Sequence, residues 1–177
     1  MSEQGLTSKI CIKYDSKIEV LILMFGDNTP MFEKYARSPS KVIYPWSLDI
    51  IDCYFLVNAF KAVSGCASSV RLVRKFSGSE DEEILTLENA YDLYNIDTDA
   101  YGSEVVLINA ESECFCYWDI HERFVIASGT EVFISMARPY PEDIQRHRYI
   151  ESMSSSRSMD EKDNADVIYN ELVSMRT

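Results

Sequence analysis

From Val42 to Val63 the chain runs 22 residues with few polar interruptions. So much apolar surface has to leave water, which narrows the choice to a membrane span or a core. The length suits a span, which takes about 20 residues. Pro45, Asp49, Asp52 and Asn58 lie inside it, however. A charge at bilayer depth costs about 2.5–3.5 kcal/mol. The stretch therefore reads as core elements of a folded domain. Ser47, after Pro45 and Trp46, suits a helix N-cap, so a helix is expected over Leu48–Val63. Its polar members, Asp49, Asp52, Asn58 and Lys61, leave most of the circumference apolar. Such a helix should be central and covered on most sides, with Phe55 in the core. Ser64 and Gly65 end it.

The remaining periodicities supply partners for that helix. Lys9–Tyr14 alternates apolar and polar residues and predicts a strand. Ile18–Phe25 predicts a second, more buried strand, and is far too short to cross a membrane. A break at Gly26–Pro30 precedes a short helix over Met31–Arg37. Val70–Phe76 predicts a strand, Ser77–Glu83 an acidic loop, and Thr86 the cap of a helix over Leu87–Tyr94. Glu104–Asn109 predicts a strand. Cys114–Asp119 and Arg123–Ala127 predict a hairpin turning through Asp119–Glu122. Thr130–Met136 predicts a helix after Gly129, stopped by Pro139 and Pro141. Strand pairs mixed with helices point to an α+β fold, a mainly antiparallel sheet packed against helices in a single domain. The expected organisation is an α+β domain over residues 1–152 and a Ser-rich flexible linker over 153–162. An amphipathic helix over 163–177 follows, carrying Ala165, Val167, Ile168, Leu172 and Met175 on its apolar side.

Charge is distributed unevenly. The formal net charge is −12. Residues 76–122 contain no Lys or Arg and 13 acids: Glu80, Asp81, Glu82, Glu83, Glu88, Asp92, Asp97, Asp99, Glu104, Glu111, Glu113, Asp119 and Glu122. Like charges gathered this way repel unless something compensates them. Phe76, Tyr91, Tyr94, Tyr101, Phe115, Tyr117 and Trp118 lie in the same window. Aromatic rings beside carboxylates suit a surface whose partner presents Arg and Lys. The expected partner-binding residues are Glu80, Asp81, Glu82, Glu83, Asp97, Asp99, Glu111 and Glu113. The competing reading is a solvated acidic face that aids solubility. Nucleic acid and anionic membrane are poor partners, since phosphate binding needs clustered cations. The only local basic cluster, Arg71, Arg74 and Lys75, reads as the exposed edge of a strand.

A search for chemistry finds little. Cys114 and Cys116 stand at strand period two and share a face, which suits two packed thiols. A zinc site needs about four ligands, and neither CxxC nor HxxxH supplies a second pair. Cys66 with His121 or His147 is a poor catalytic pair, because Cys66 follows a helix C-terminus. Asp97-Thr98-Asp99 opens like a calcium loop but continues with Ala100 and Tyr101. No phosphate-cradling glycine loop is present. No catalytic residue, metal or cofactor is therefore assigned. Five cysteines without framework spacing, and an N-terminus without signal-peptide character, make reduced thiols and a cytoplasmic location the expectation.

The stretch Glu104–Arg138 resembles the C-terminal portion of small immunity proteins found beside bacterial polymorphic toxins, including those of contact-dependent growth inhibition. Trp118 and Asp119 match an aromatic strand with its turn, Arg123 and Phe124 the following strand, and Gly129 and Phe133 a GxxxF-type helix. The resemblance covers about a fifth of the chain and transfers no interface residue. It implies a small acidic cytoplasmic protein that inhibits one cognate toxin, commonly a basic nuclease, by covering its active site or a nearby surface. Two alternatives remain: a small enzyme built around His121 and a neighbouring carboxylate, and an acidic nucleic-acid mimic that inhibits a DNA-binding enzyme.

Overall fold

The computed structural model describes residues 41–45, 47–65, 68–76, 79–99, 103–119, 124–156, 165–170 and 173. The strands expected over Lys9–Tyr14 and Ile18–Phe25, and the helix over Met31–Arg37, lie outside these residues. The described elements are β1 (Lys41–Pro45), α1 (Ile50–Ser64), β2 (Ser68–Phe76), β3 (Ser79–Leu87), α2 (Ala90–Asp99), β4 (Glu104–Asn109), β5 (Cys114–Asp119), β6 (Phe124–Gly129), α3 (Glu131–Ala137) and α4 (Glu142–Ser156). Residues 165–170 are also helical. The strands form one six-stranded sheet in the order β1-β6-β5-β4-β2-β3, antiparallel at every step. The α+β class with a mainly antiparallel sheet is what the sequence predicted.

Period-two alternation gives the sheet two apolar faces, and both are covered. One face presents Tyr44, Leu72, Leu107, Cys116, Trp118 and Val125 to Leu56 and Phe60 of α1, Leu93 and Ile96 of α2, and Phe133 of α3. The other presents Ile43, Val73, Val106, Phe115, Tyr117 and Phe124 to Tyr149 and Met153 of α4 and to Ala165 and Tyr169. The result is helix, sheet, helix in three layers. Cys114 and Cys116 both enter the first face, as their spacing predicted, and both are free and fully buried. Pro45 ends β1, the outermost strand on its side among the described residues.

Several elements differ from expectation. Asp49, not Ser47, caps α1: its carboxylate accepts the N–H groups of Ile51 and Asp52, each at 2.8 Å, and Asp52 Oδ2 accepts the Asp49 N–H at 3.3 Å. This reciprocal box satisfies amides that a hydroxyl two residues earlier leaves bare. Nor is α1 covered all round. Ile50, Ile51 and Tyr54 are 40%, 47% and 58% exposed, and Phe55 is only half-buried. The true centre is Phe60, which meets Phe133 edge-on at 5.0 Å.

The acidic run Ser77–Glu83 is not simply a loop: from Ser79 it is β3, paired with β2 through Leu87. Thr86 is a strand residue, and the helix that follows begins at Ala90. Arg71, Arg74 and Lys75 lie on an inner strand between β4 and β3, not on an edge. Helix α4 was not predicted. It extends through Ser156, so Met153, expected to open a linker, is a buried helical residue. Residues 157–164 lie outside the described residues.

Candidate partner-binding surfaces

The expected binding residues divide among three places. Glu80, Asp81, Glu82 and Glu83 are exposed on outer strand β3. They face a strand that carries cations. Arg71 approaches Glu82 at 3.4 Å, and Arg74 pairs with Glu83 and stands 4.0 Å from Asp81. Lys75 is the register partner of Glu80. The pairing follows the strand period, so Arg74 meets Asp81 and Glu83 on one face and Arg71 meets Glu82 on the other. Exposed pairs of this kind are worth about 0–1 kcal/mol each, but they offset much of the field that the acid count implies. Charges along an outer strand also discourage unwanted strand pairing. Ile84 lies among them and is 76% exposed.

Asp97 and Asp99 end α2 and have different environments. Asp97 is half-buried; it accepts Trp118 Nε1–H at 2.8 Å and the Leu48 N–H at 3.3 Å. Burial pushes its carboxyl up to about 6, against these two hydrogen bonds, with the nearby Asp52 charge adding to the rise. Asp97 therefore ties α2 to the start of α1 and to the middle of the sheet. Asp99 is exposed. Glu111 and Glu113 belong to the turn between β4 and β5. Glu113 is held at φ 49°, the left-handed region. Asn109 fixes this turn: its side chain donates to Ser64 Oγ at 2.8 Å and to Ser69 O at 3.1 Å, and accepts the Ser112 N–H at 2.9 Å.

The aromatics of the acidic window separate as well. Phe115, Tyr117 and Trp118 are buried in the sheet and present nothing outward. Tyr91 and Tyr94 of α2 are 66% and 42% exposed. Helices α1 and α2 run side by side in opposite directions. Lys61, near the end of α1, donates to Glu88 O at the start of α2, while Asp97 at the end of α2 accepts from Leu48 before α1. Tyr54 of α1 therefore lies along the same stretch as Tyr94. Ile50 and Ile51 are exposed at the start of α1, where Asp49 is taken up by the helix cap and by Arg148 at 2.8 Å, and Glu88 and Asp99 are exposed at the ends of α2. The sequence flagged Tyr91 and Tyr94 but missed the contribution of α1, because Ile50, Ile51 and Tyr54 read as core.

Among the described residues no group of three or more His, Cys, Asp or Glu is placed to hold a metal. No described helix is long and apolar enough to cross a membrane. Burial pushes the Cys53 thiol up to about 12 and raises Cys114 and Cys116 as well, so all three stay protonated at neutral pH. His147 is exposed and stands 3.3 Å from Glu151. Cys66 and His121 lie outside the described residues. Comparison with protein-family models, curated proteins and solved structures finds no match.

Proposed function

We propose that this chain is an immunity protein that binds and neutralises a basic cognate toxin, most simply a nuclease domain. The observation that carries the reading is a set of exposed side chains on two neighbouring helices, Ile50, Ile51 and Tyr54 of α1 and Tyr91 and Tyr94 of α2, with Glu88 and Asp99 exposed at the ends of α2. Tyrosine supplies large contact area at low entropic cost, and its ring accepts a cation over its face. A nuclease needs Lys and Arg to hold phosphates, so an inhibitor covering that face presents the opposite sign. The net charge of −12 speeds encounter with such a partner. The acids of β3, cross-paired with Arg71 and Arg74, add to this attraction only through their excess over those cations.

The experiment is to express the toxin domain encoded beside this gene and measure binding and growth protection. Tyr54→Ala with Tyr94→Ala should speed dissociation at least tenfold. Lysine at positions 80–83 should slow association at low salt and converge with the native chain at 1 M salt, where the Debye length is about 3 Å. A neighbouring product that is neither toxic nor bound overturns the reading.

A further inference from the structure

A cavity of about 30 Å³ lies between β1, the start of α4 and the helical segment 165–170. Lys41, Arg138, Glu142, Gln145 and Tyr169 form its polar wall. Two of these are deeply placed: Lys41 is 5% exposed and Gln145 is 2% exposed. Gln145 Nε2 donates to Ile43 O at 2.9 Å, which fixes the amide, and its Oε1 has no hydrogen-bond partner. A buried carbonyl left this way is costly and calls for a donor. Arg138 is anchored through Lys41 O at 3.4 Å, with its other terminal nitrogen 3.7 Å from Glu142.

We propose that this cavity binds a small oxyanion that keeps one proton, of the hydrogenphosphate or bicarbonate kind, held by the Lys41 ammonium and the Arg138 guanidinium with its hydroxyl donated to Gln145 Oε1. The positive end of α4, whose first turn contributes Glu142 and Gln145, adds to the attraction. An anion with acceptor oxygens only sets one of them against the Gln145 carbonyl and gains less. Glu142 opposes an anion, but its side chain is 62% exposed and already shares Arg138. The volume admits two or three water-sized groups, which suits the three oxygens of bicarbonate directly and hydrogenphosphate only with an oxygen left toward the opening. Burial lowers Lys41 to about 8, and a bound anion would draw that value back up.

The test uses the whole protein in thermal melts at pH 7.5 with phosphate, bicarbonate, sulfate and chloride at matched ionic strength. Phosphate or bicarbonate at ten times its Kd should raise the melting temperature by about 3–6 °C, and the larger response identifies the ligand. Sulfate should match chloride. Lys41→Met should abolish the response, while Lys75→Met, remote from the cavity, should keep it. If Lys41→Met shows no cooperative melt, Arg138→Gln is read in its place, with the same expectation. Equal responses to all four salts, or a native response in the cavity variant, overturn the proposal and leave a water-filled niche.

Discussion

Arg148 of α4 grips Asp52 in the first turn of α1 with both guanidinium prongs, at 2.8 and 2.9 Å, across 96 residues of sequence. It also reaches Asp49 at 2.8 Å and lies 4.5 Å from the centre of the Tyr140 ring. Asp52 is fully buried, and burial raises its carboxyl despite the pairing. Removing one partner of such a pair strands the other charge. Arg148→Met should therefore cost about 3–5 kcal/mol in urea melts. Asp52→Leu combined with Arg148→Met should recover most of that loss. A single-variant cost below about 1 kcal/mol would show that water takes the place of the guanidinium.

Gly129 ends β6 opposite Cys114. A Cβ there would lie 2.6 Å from Cys114 Cβ and 2.8 Å from both Cys114 Cα and Glu113 O. Two of these three atoms are backbone, so relief requires the β5–β6 pair to separate. Gly129→Ala should cost more than about 2 kcal/mol, at the upper end for overpacked sites. It should also loosen the turn that carries Glu113. A melt within 0.5 kcal/mol of the native chain would show that the strands part easily.

The β4–β5–β6 meander was legible because each strand is a short apolar run, buried on both faces, and Thr130 marks the next helix start. β3 was not. Glu and Asp are poor strand formers, and Glu80–Glu83 is stabilised by Arg71 and Arg74 on another strand, a compensation no local window contains. α4 was missed for a related reason. Its sequence is polar, and the few residues that bury it, Gln145, Tyr149 and Met153, act through contacts with β1 and residues 165–169. In α1 apolar content misled, because residues that bury and residues that remain exposed look alike by hydrophobicity. The acids expected to bind a partner fall on a strand, a helix end and a turn, since their spacing in sequence carries no information about cross-strand pairing.

The two phenylalanines of α1 test this distinction. Phe60 is fully buried against Phe133, so Phe60→Ala should cost about 3–5 kcal/mol. Phe55 is half-buried and has Tyr54 beside it, with ring centres 5.9 Å apart. Phe55→Ala should cost about 1–2 kcal/mol, since only part of its surface leaves water on folding. Equal costs in parallel urea melts would place Phe55 in the core after all.

Asp97 makes stability depend on pH in a direction opposite to that of most carboxylates. Its folded value of about 6 lies above the reference value of 3.8. Between these the folded chain holds the proton more tightly than the unfolded chain does. Stability from this group is therefore fully present below about pH 4 and is lost as pH rises to about 6, by on the order of 2–3 kcal/mol. Asp97→Asn removes the titration while keeping an oxygen for Trp118 Nε1–H. The variant should flatten the slope between pH 4 and 6 and equal or exceed native stability at pH 7. Trp118 supplies a local readout, because protonation of Asp97 changes the polarity at its indole N–H. Native fluorescence should titrate near pH 6, and that transition should vanish in the variant. An unchanged slope with an unchanged fluorescence titration would assign the proton to another group and leave Asp97 ionised throughout.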